Sequence, residues 1–411
     1  MSNNTFTDRT KHFWNWFTDN EEKMSDMVRN RNDASYGDAE VDFIAEGVAL
    51  LSESLRFNIG GDHEFTFTVD GNYPLFFLLP YVVANLPEVF QEKWTFFPCM
   101  QSTNGHNFTF KMYGKMVDSE KVMVSAIENK EDGTADIHFY AEEWESLADD
   151  ECYSVFYILM ELIIGEALAN VFVNMVKRAD CVQEDMFPLT RLEQWMLDRF
   201  CKEGKVPDPA ERYFAYEKKP EDSPLARADI MIGYTKCVPL LGCYDSGDPD
   251  IYQTFTRFGA KPVFLYYYYY EDEQTDPNAA LEQRNVIMDK LEEEVLGETG
   301  SGSEIGMVLG AAMGDRCAYI DLLLYDEQAF VEKAEKLLAE KPAMFFCREF
   351  VKDGGEELLT GEHTEGFAGR LQQLGACKAY DKIIEIIEKI PEEHRDDIIN
   401  SIYARALRSI D

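Results

Sequence analysis

Hydrophobic residues recur along this chain at two spacings, and the switches between them predict its elements. In residues 8–28, Phe13, Trp16, Phe17, Met24 and Met27 fall at helical spacing, with Asp19, Glu21 and Glu22 elsewhere on the cylinder. A second helix is expected over 39–55. "RFNIGG" and "EFTFTV" alternate with a period of two and predict short strands. "PLFFLLPYVVANLPEVF" predicts a helix and "KWTFFPCM" a strand. "KVMVSAIENKEDGTADIHFYAEE" predicts a hairpin, with Asp132-Gly133 as turn residues that tolerate positive φ. "DDECYSVFYILMELIIGE" predicts a buried helix closing at Gly165, and "NVFVNMVKR" a strand. "PLTRLEQWMLDRFCKEG" predicts a helix with Pro188 near its start and Gly204 past its end.

Residues 204–224 hold four prolines and many charges, so the main domain boundary is expected there. The expected organisation is an N-terminal α+β domain over 1–205, a linker over 206–225, a second α+β domain over 226–355, and a helical segment over 356–411. The second domain opens with the strand "DIMIGYTK", followed by irregular chain to Gly259. "PVFLYYYYY" is a strand by its β-friendly composition. Asp276 and Pro277 then start a helix that carries Ala280, Leu281, Ile287, Met288, Leu291 and Val295 on one side and ends at Gly297. "EIGMVLGAAMG" and "CAYIDLLLYD" are strands joined by Gly314-Asp315, "EQAFVEKAEKLLAE" a second helix, and "AMFFCREF" a last strand. That order is βαββαβ. The expected fold class is α+β: two α/β sandwich-like halves, the second ferredoxin-like, with a helical C-terminal tail striped by Ile383, Ile386, Ile387 and Ile390.

A ferredoxin-like sheet carries helices on one face only. Side chains alternate along a strand, so Val263, Leu265, Tyr267 and Tyr269 share one face, and Phe264, Tyr266, Tyr268 and Tyr270 the other. In the third strand Ala318, Ile320, Leu322 and Leu324 form the helix-facing set. Cys317, Tyr319, Asp321, Leu323 and Tyr325 then lie on the open face. Tyrosine suits a half-covered surface, with an apolar ring and a hydroxyl that can stay wet. The other half of the chain is the expected cover; a second copy, making a homo-oligomer, or a partner protein are the alternatives. Tyr266, Tyr268, Tyr270, Tyr319 and Tyr325 are accordingly the candidate binding residues. Two segments, 135–176 and 261–309, also share the order strand, acidic loop, helix, Gly-Glu, strand, matched at Gly165-Glu166 and Gly297-Glu298, which suggests a duplicated unit.

Charge narrows the function classes. The chain has 77 acids against 39 Lys plus Arg, a formal net charge of −38. Such a surface repels phosphate backbones and anionic lipid, so no nucleic acid and no membrane is expected as partner, and a basic protein is. Tyr266, Tyr268, Tyr319 and Tyr325 match the placement of base-stacking aromatics in RNA-recognition modules, but ten acids against three bases over 261–298 oppose RNA. The apolar stretches are interrupted by Pro80 and Pro87, or by Glu161, and are too short to span a bilayer. Nine scattered cysteines, no Cys-x-x-Cys and no leader-like N-terminus predict reduced thiols and a cytoplasmic location.

Candidate chemistry is sparse. None of the six histidines has another near it in sequence, so paired-ligand motifs are absent and no metal is expected. Asp136, His138 and Tyr140 alternate on one strand and form a candidate ligand-binding trio. The glycine-rich stretch "GETGSGSEIGMVLGAAMG" follows a helix and precedes a strand, the reverse of a phosphate loop, and no cofactor is expected.

At "FWNWFTDNEEKM" (13–24) and "GTADIHFYAEEWESLADDECYSVFYILMELIIGE" (133–166) the chain resembles an uncharacterised bacterial family. Its members open with an FWxWF helix and carry a domain of unknown function; Ile164 stands where they have leucine. The second half resembles, in topology and acidity, the acidic ferredoxin-like inhibitors of ribonuclease E. These resemblances imply no active-site residues. The expected function is a non-catalytic binding or regulatory protein, of inhibitor or immunity type. The competing class is an enzyme with a carboxylate or Tyr/His site in a cleft between the halves.

Overall fold

A computed structural model of the chain describes residues 4–30, 38–131, 133–201, 204–221, 223, 225–269, 278–360 and 366–410. The fold is α+β. Its contacts gather into two compact units: His12–Arg212, and Met1–Lys11 with Tyr213–Asp411. The division passes through the first helix, Phe6–Asn30.

In the unit His12–Arg212, that helix buries Phe13, Phe17 and Met24. Phe13 and Phe17 meet Phe67 and Phe96 edge-on, from a three-stranded sheet of Arg56–Gly60, Glu64–Thr68 and Thr95–Phe97. The second helix, Asp38–Val48, stops short of the expected residue 55. The single helix expected over 74–90 is instead three short pieces, Tyr73–Phe77, Leu79–Ala84 and Glu88–Phe90. Pro80 sits in the first turn of Leu79–Ala84, where its missing amide costs nothing but cannot extend the preceding turn, and Pro87 follows the non-helical Leu86 and separates the third piece.

The hairpin Met123–Asn129/Thr134–Tyr140 forms the centre of a four-stranded sheet; Asp132 of its turn lies outside the described residues. Ala135, Ile137 and Phe139 face the helix Asp149–Ile164, and Phe139 stacks on Phe156 at 4.1 Å. That helix ends at Gly165, φ +79°, where a Cβ would press on the Ser102 amide nitrogen at 3.0 Å. The strand expected from Asn170 begins only at Val173, because a further helix, Glu166–Phe172, intervenes. The fully buried Glu166 accepts from the amides of Val69, Asp70 and Met100 at 3.1, 2.9 and 2.7 Å, and from the Thr68 hydroxyl. Four donors satisfy this carboxylate and tie three segments together. Burial, then the charges of Glu166 and Asp70, push the carboxyl of Glu161 up to about 7.

The other unit is built on a seven-stranded sheet. Its spatial order is Phe214–Glu217, Ile230–Thr235, Gly306–Gly314, Cys317–Leu324, Lys261–Tyr268, Phe345–Glu349, Glu356–Leu358, with every pair antiparallel. Its middle four strands have the ferredoxin-like order, extended by two strands on one edge and one on the other. Helices Ala279–Lys290, continuing as a π-helical turn to Leu296, and Glu327–Ala339 cover one face. Val263, Leu265, Tyr267, Ala318, Ile320, Leu322 and Leu324 pack there against Ile287, Leu291, Phe330, Ala334 and Leu338. The expected helix start at Asp276 and Pro277 lies outside the described residues.

In three further places the structure departs from the reading of the sequence. The stretch expected to be irregular before Gly259 contains two helices, Val238–Ser246, with Pro239 in its first turn, and Asp250–Arg257. The segment expected to be helical from 356 opens with the strand Glu356–Leu358, before helices Phe367–Ala376, Tyr380–Glu388 and Asp397–Ile410. The apparent repeat is matched by Gly165 and Gly297 at φ +79° and +91°, and then diverges. Thr134–Tyr140 pairs directly and in parallel with Val173–Arg178, whereas Cys317–Leu324 separates Lys261–Tyr268 from Gly306–Gly314. No single described helix is long and apolar enough to cross a membrane; the apolar pair Asp149–Ile164 and Glu166–Phe172 bends by 109° at Gly165.

Two outcomes follow. Gly310 lies at a bulge where a Cβ would overlap the Tyr234 carbonyl oxygen, so Gly310→Ala is expected to cost on the order of 1–3 kcal/mol in urea unfolding. The raised carboxyl of Glu161 gives stability that is complete below its ordinary range and is lost as pH rises through about 7. Glu161→Gln should therefore melt progressively higher than the parent from about pH 5 to about pH 8; a constant difference would contradict the shift.

Candidate functional site

Asp321 is the sole charged residue in the strand Cys317–Leu324, and the alternation places it away from the helices. A carboxylate buried on an apolar sheet requires a partner. Arg227 provides it. Its guanidinium donates to Asp321 through Nη1 and, at 3.3 Å, through Nη2, which also donates to the Tyr216 hydroxyl at 3.1 Å. Both side chains of this ion pair are only 1% exposed. Rings of Phe350, Phe264, Tyr319 and Tyr244 surround the guanidinium carbon at 4.6, 5.2, 5.6 and 5.7 Å. Burial opposes the charge on Arg227, but Asp321 and Tyr216 hold its pKa above the ordinary arginine value.

The backbone around Arg227 is held as firmly. Arg227 has φ +69°, a left-handed conformation that is strained for a residue with a side chain. Its amide donates to the Tyr319 hydroxyl at 3.0 Å, and the Ala226 carbonyl accepts from the Tyr244 hydroxyl at 3.0 Å. Two residues on, buried Asp229 accepts from the amides of Arg316 and Cys317 at 3.0 and 2.9 Å and from the Tyr319 hydroxyl. The segment 226–229 is thus fastened onto the strand Cys317–Leu324 and the turn before it.

Beside this clamp lies the tyrosine row. The register sets Tyr266 opposite Tyr319 and Phe346, and its ring stacks between theirs at 5.8 and 5.0 Å. Its hydroxyl donates to Glu356 at 2.7 Å; Glu356 also accepts from Lys382, whose ammonium sits 4.8 Å from the Phe346 ring centroid. A cavity of about 270 Å³ opens here, walled by Tyr266, Tyr268, Tyr319 and Cys317. Its lining carries four cations (Arg316, Arg348, Lys378, Lys382) and four carboxylates (Asp229, Glu356, Asp381, Glu385), so it is balanced in charge within a strongly acidic chain. Burial first raises the phenols of Tyr266 and Tyr319 and the thiol of Cys317 well above their ordinary values, with Glu356 adding at Tyr266, Cys317 and then Asp229 at Tyr319, and Asp229 at Cys317; burial pushes Cys377 up to about 11. These groups stay protonated at neutral pH.

The structure thus brings Tyr266, Tyr268 and Tyr319 together at one cavity. Tyr325 stands apart: it packs edge-on against Phe6 at 5.3 Å, and its hydroxyl faces the Met307 sulfur at 3.4 Å. Tyr270 lies outside the described residues. Asp136, His138 and Tyr140 share the half-exposed face of their strand without converging. Asp136 accepts from Asn129 and Asn174 at 3.0 and 2.8 Å, Tyr140 donates to Glu145 at 2.8 Å, and His138 pairs in register with Ser125 and Lys177.

The cover of the tyrosine face also differs from expectation. Arg227, Tyr244, Phe350 and Lys382, which lie over it, all belong to Tyr213–Asp411 rather than to the other half. The cause is local: the helix Val238–Ser246 brings Tyr244 onto the sheet and Tyr380–Glu388 brings Lys382. The other unit has a wider recess, about 860 Å³, bordered by Pro80, Pro98, Pro207 and Pro209, with Glu193 accepting from the Ser102 hydroxyl in its lining. The Cys99 thiol in its wall is pushed up to about 12, chiefly by burial. Among the described residues no group of three or more His, Cys, Asp or Glu is arranged to hold a metal ion.

Arg227 and Asp229 escaped the sequence reading. Asp321 inside an otherwise apolar strand was the signal that a buried cation must exist, but its partner lies 94 residues upstream. No protein-family model, curated protein or solved structure matches this chain. Asp321→Asn leaves Arg227 charged, buried and unpaired; it is expected to cost about 3–5 kcal/mol in urea unfolding.

Proposed function

We propose that the chain is a non-catalytic binding protein that engages a basic partner protein through its acidic exterior, in the manner of an inhibitor or an immunity protein. One observation carries this reading. The buried charged residues among those described are five acids (Glu166, Glu193, Asp229, Glu304, Asp321) and three arginines (Arg227, Arg284, Arg370). Among the described residues burial therefore withdraws a net of only two negative charges, small beside the chain's formal net charge of −38. A field of that sign speeds encounter with a cationic surface and rejects anionic ones.

Two further observations support it. The elevated phenols and thiols at the tyrosine cavity favour holding over reacting. All nine cysteines are free, which suits the reducing cytoplasm as the place of action.

The full chain, immobilised and exposed to lysate at low salt, is expected to retain a protein of high isoelectric point. That protein, once purified, should lose about tenfold or more in affinity as salt shortens the Debye length. Retention of no basic protein, or an affinity indifferent to salt, contradicts the proposal.

A further inference from the structure

We propose that the wide recess of the unit His12–Arg212 binds a small organic amine, an ammonium group on an apolar body, with Glu193 as its anionic partner. The recess has a volume of about 860 Å³, and Phe76, Ile164, Leu168, Phe200 and Val206 line it together with four prolines. Five charged residues share that lining. Lys205, Asp208 and Glu211 are exposed, and half-buried Arg212 donates to the Val171 carbonyl. Glu193 is the buried one of the five, 9% exposed.

Its hydrogen bonding sets it apart. Five acids are buried among the described residues, and in four of them both carboxylate oxygens are engaged. Glu166 and Asp229 take strand and loop amides and a hydroxyl each, and Asp321 takes Arg227 with both oxygens. Glu304 accepts from the Gly300 amide at 2.8 Å and the Ser301 hydroxyl at 3.1 Å. Glu193 accepts from the Ser102 hydroxyl through Oε1 alone. No described Lys, Arg or His forms an ion pair with it, and its Oε2 has no hydrogen-bond partner. Oε2 is not among the unpartnered polar atoms sealed from solvent, so it opens onto the recess that Glu193 lines. A carboxylate largely withdrawn from water without a counter-charge carries a desolvation cost, which an incoming cation offsets.

The chemistry of the lining narrows the cation. A carboxylate only accepts, so the ligand's head is a donor, and a charged donor matches it best. A metal ion is a poor fit, because no group of three or more His, Cys, Asp or Glu is arranged to hold one among the described residues. The volume is far larger than an ammonium group alone needs, and the rings and prolines around it suit an aromatic or aliphatic body. The acceptor is also fixed in place. Glu193 stands in the first turn of the helix Leu192–Phe200, and the Ser102 hydroxyl that donates to it accepts in turn from the Asn104 amide at 3.4 Å. A small amine in this recess and a basic protein on the exterior are different ligands, so the two readings stand or fall separately.

Isothermal titration of the full chain at neutral pH tests the site with 2-phenylethylamine, alongside its neutral and anionic counterparts 2-phenylethanol and 3-phenylpropionate. Saturable one-site binding of the amine is expected, at least about tenfold tighter than of either counterpart. Glu193→Gln should weaken the amine about tenfold or more; it keeps an acceptor for Ser102, so it should fold as the parent does, and a thermal melt checks this. Glu184→Gln, which removes an exposed acid outside the recess, should leave binding unchanged and so separates the site from general attraction to an acidic chain. No saturable binding of the amine overturns the proposal. So does binding of 2-phenylethanol as tight as that of the amine, or a loss in a folded Glu193→Gln no larger than in Glu184→Gln.

Discussion

A carboxylate on the open face of an apolar strand sets the terms for the second half of this molecule. Asp321 cannot be left unpaired in that position, and Arg227 meets it from a segment far away in sequence. The segment bearing Arg227 is fastened too: Asp229 takes the amides of Arg316 and Cys317, the Tyr319 hydroxyl joins Arg227 and Asp229, and Tyr244 holds the Ala226 carbonyl just before Arg227. What would be the exposed side of a ferredoxin-like sheet becomes an interior, closed by helices that follow and precede the sheet strands. The tyrosines are then neither solvent-facing nor purely hydrophobic: their rings stack while their hydroxyls reach Glu356 and Asp229.

That arrangement also explains why both cavities of this unit occur where they do. Residues 226–229 are fixed to the sheet through Tyr319, Asp321, Arg316 and Cys317. One cavity lies against the tyrosine row, with balanced charge, and the other against Lys218, Lys219 and Lys352, with a cationic excess. The acidic exterior and these two linings are three different chemical environments on one chain.

Much of the fold was legible because it rests on periodicity. The two-residue alternation in "KPVFLYYYYY" and "CAYIDLLLYD" assigned Leu265 and Ile320 to the helices and Tyr266 and Tyr319 to the opposite face, and the packing agrees. The βαββαβ order followed from helix ends at Gly297 and turns at Gly314. What was not legible depends on distance or on weak periodicity. Val238–Ser246 carries buried Leu240, Leu241 and Tyr244 without a clean apolar stripe, and it read as irregular chain. Residues 74–90 are apolar enough for a helix, but two prolines decide the outcome. In the candidate site, the tyrosines announced themselves, whereas Arg227 follows directly on the charged, proline-rich stretch 204–224, where no apolar periodicity marks it, and only the folded chain shows it to be interior.

The central claim is that the tyrosine face is closed by the chain's own Arg227 segment and following helices. Native-state thiol labelling measures this most directly, because Cys317 lies on that face, 4% exposed, whereas Cys181 is exposed in the other unit. Peptide-resolved mass spectrometry after a short pulse of alkylating reagent should find Cys181 modified and Cys317 protected until denaturant unfolds the unit. Modification of Cys317 in the native protein at a rate comparable with Cys181 would contradict the account.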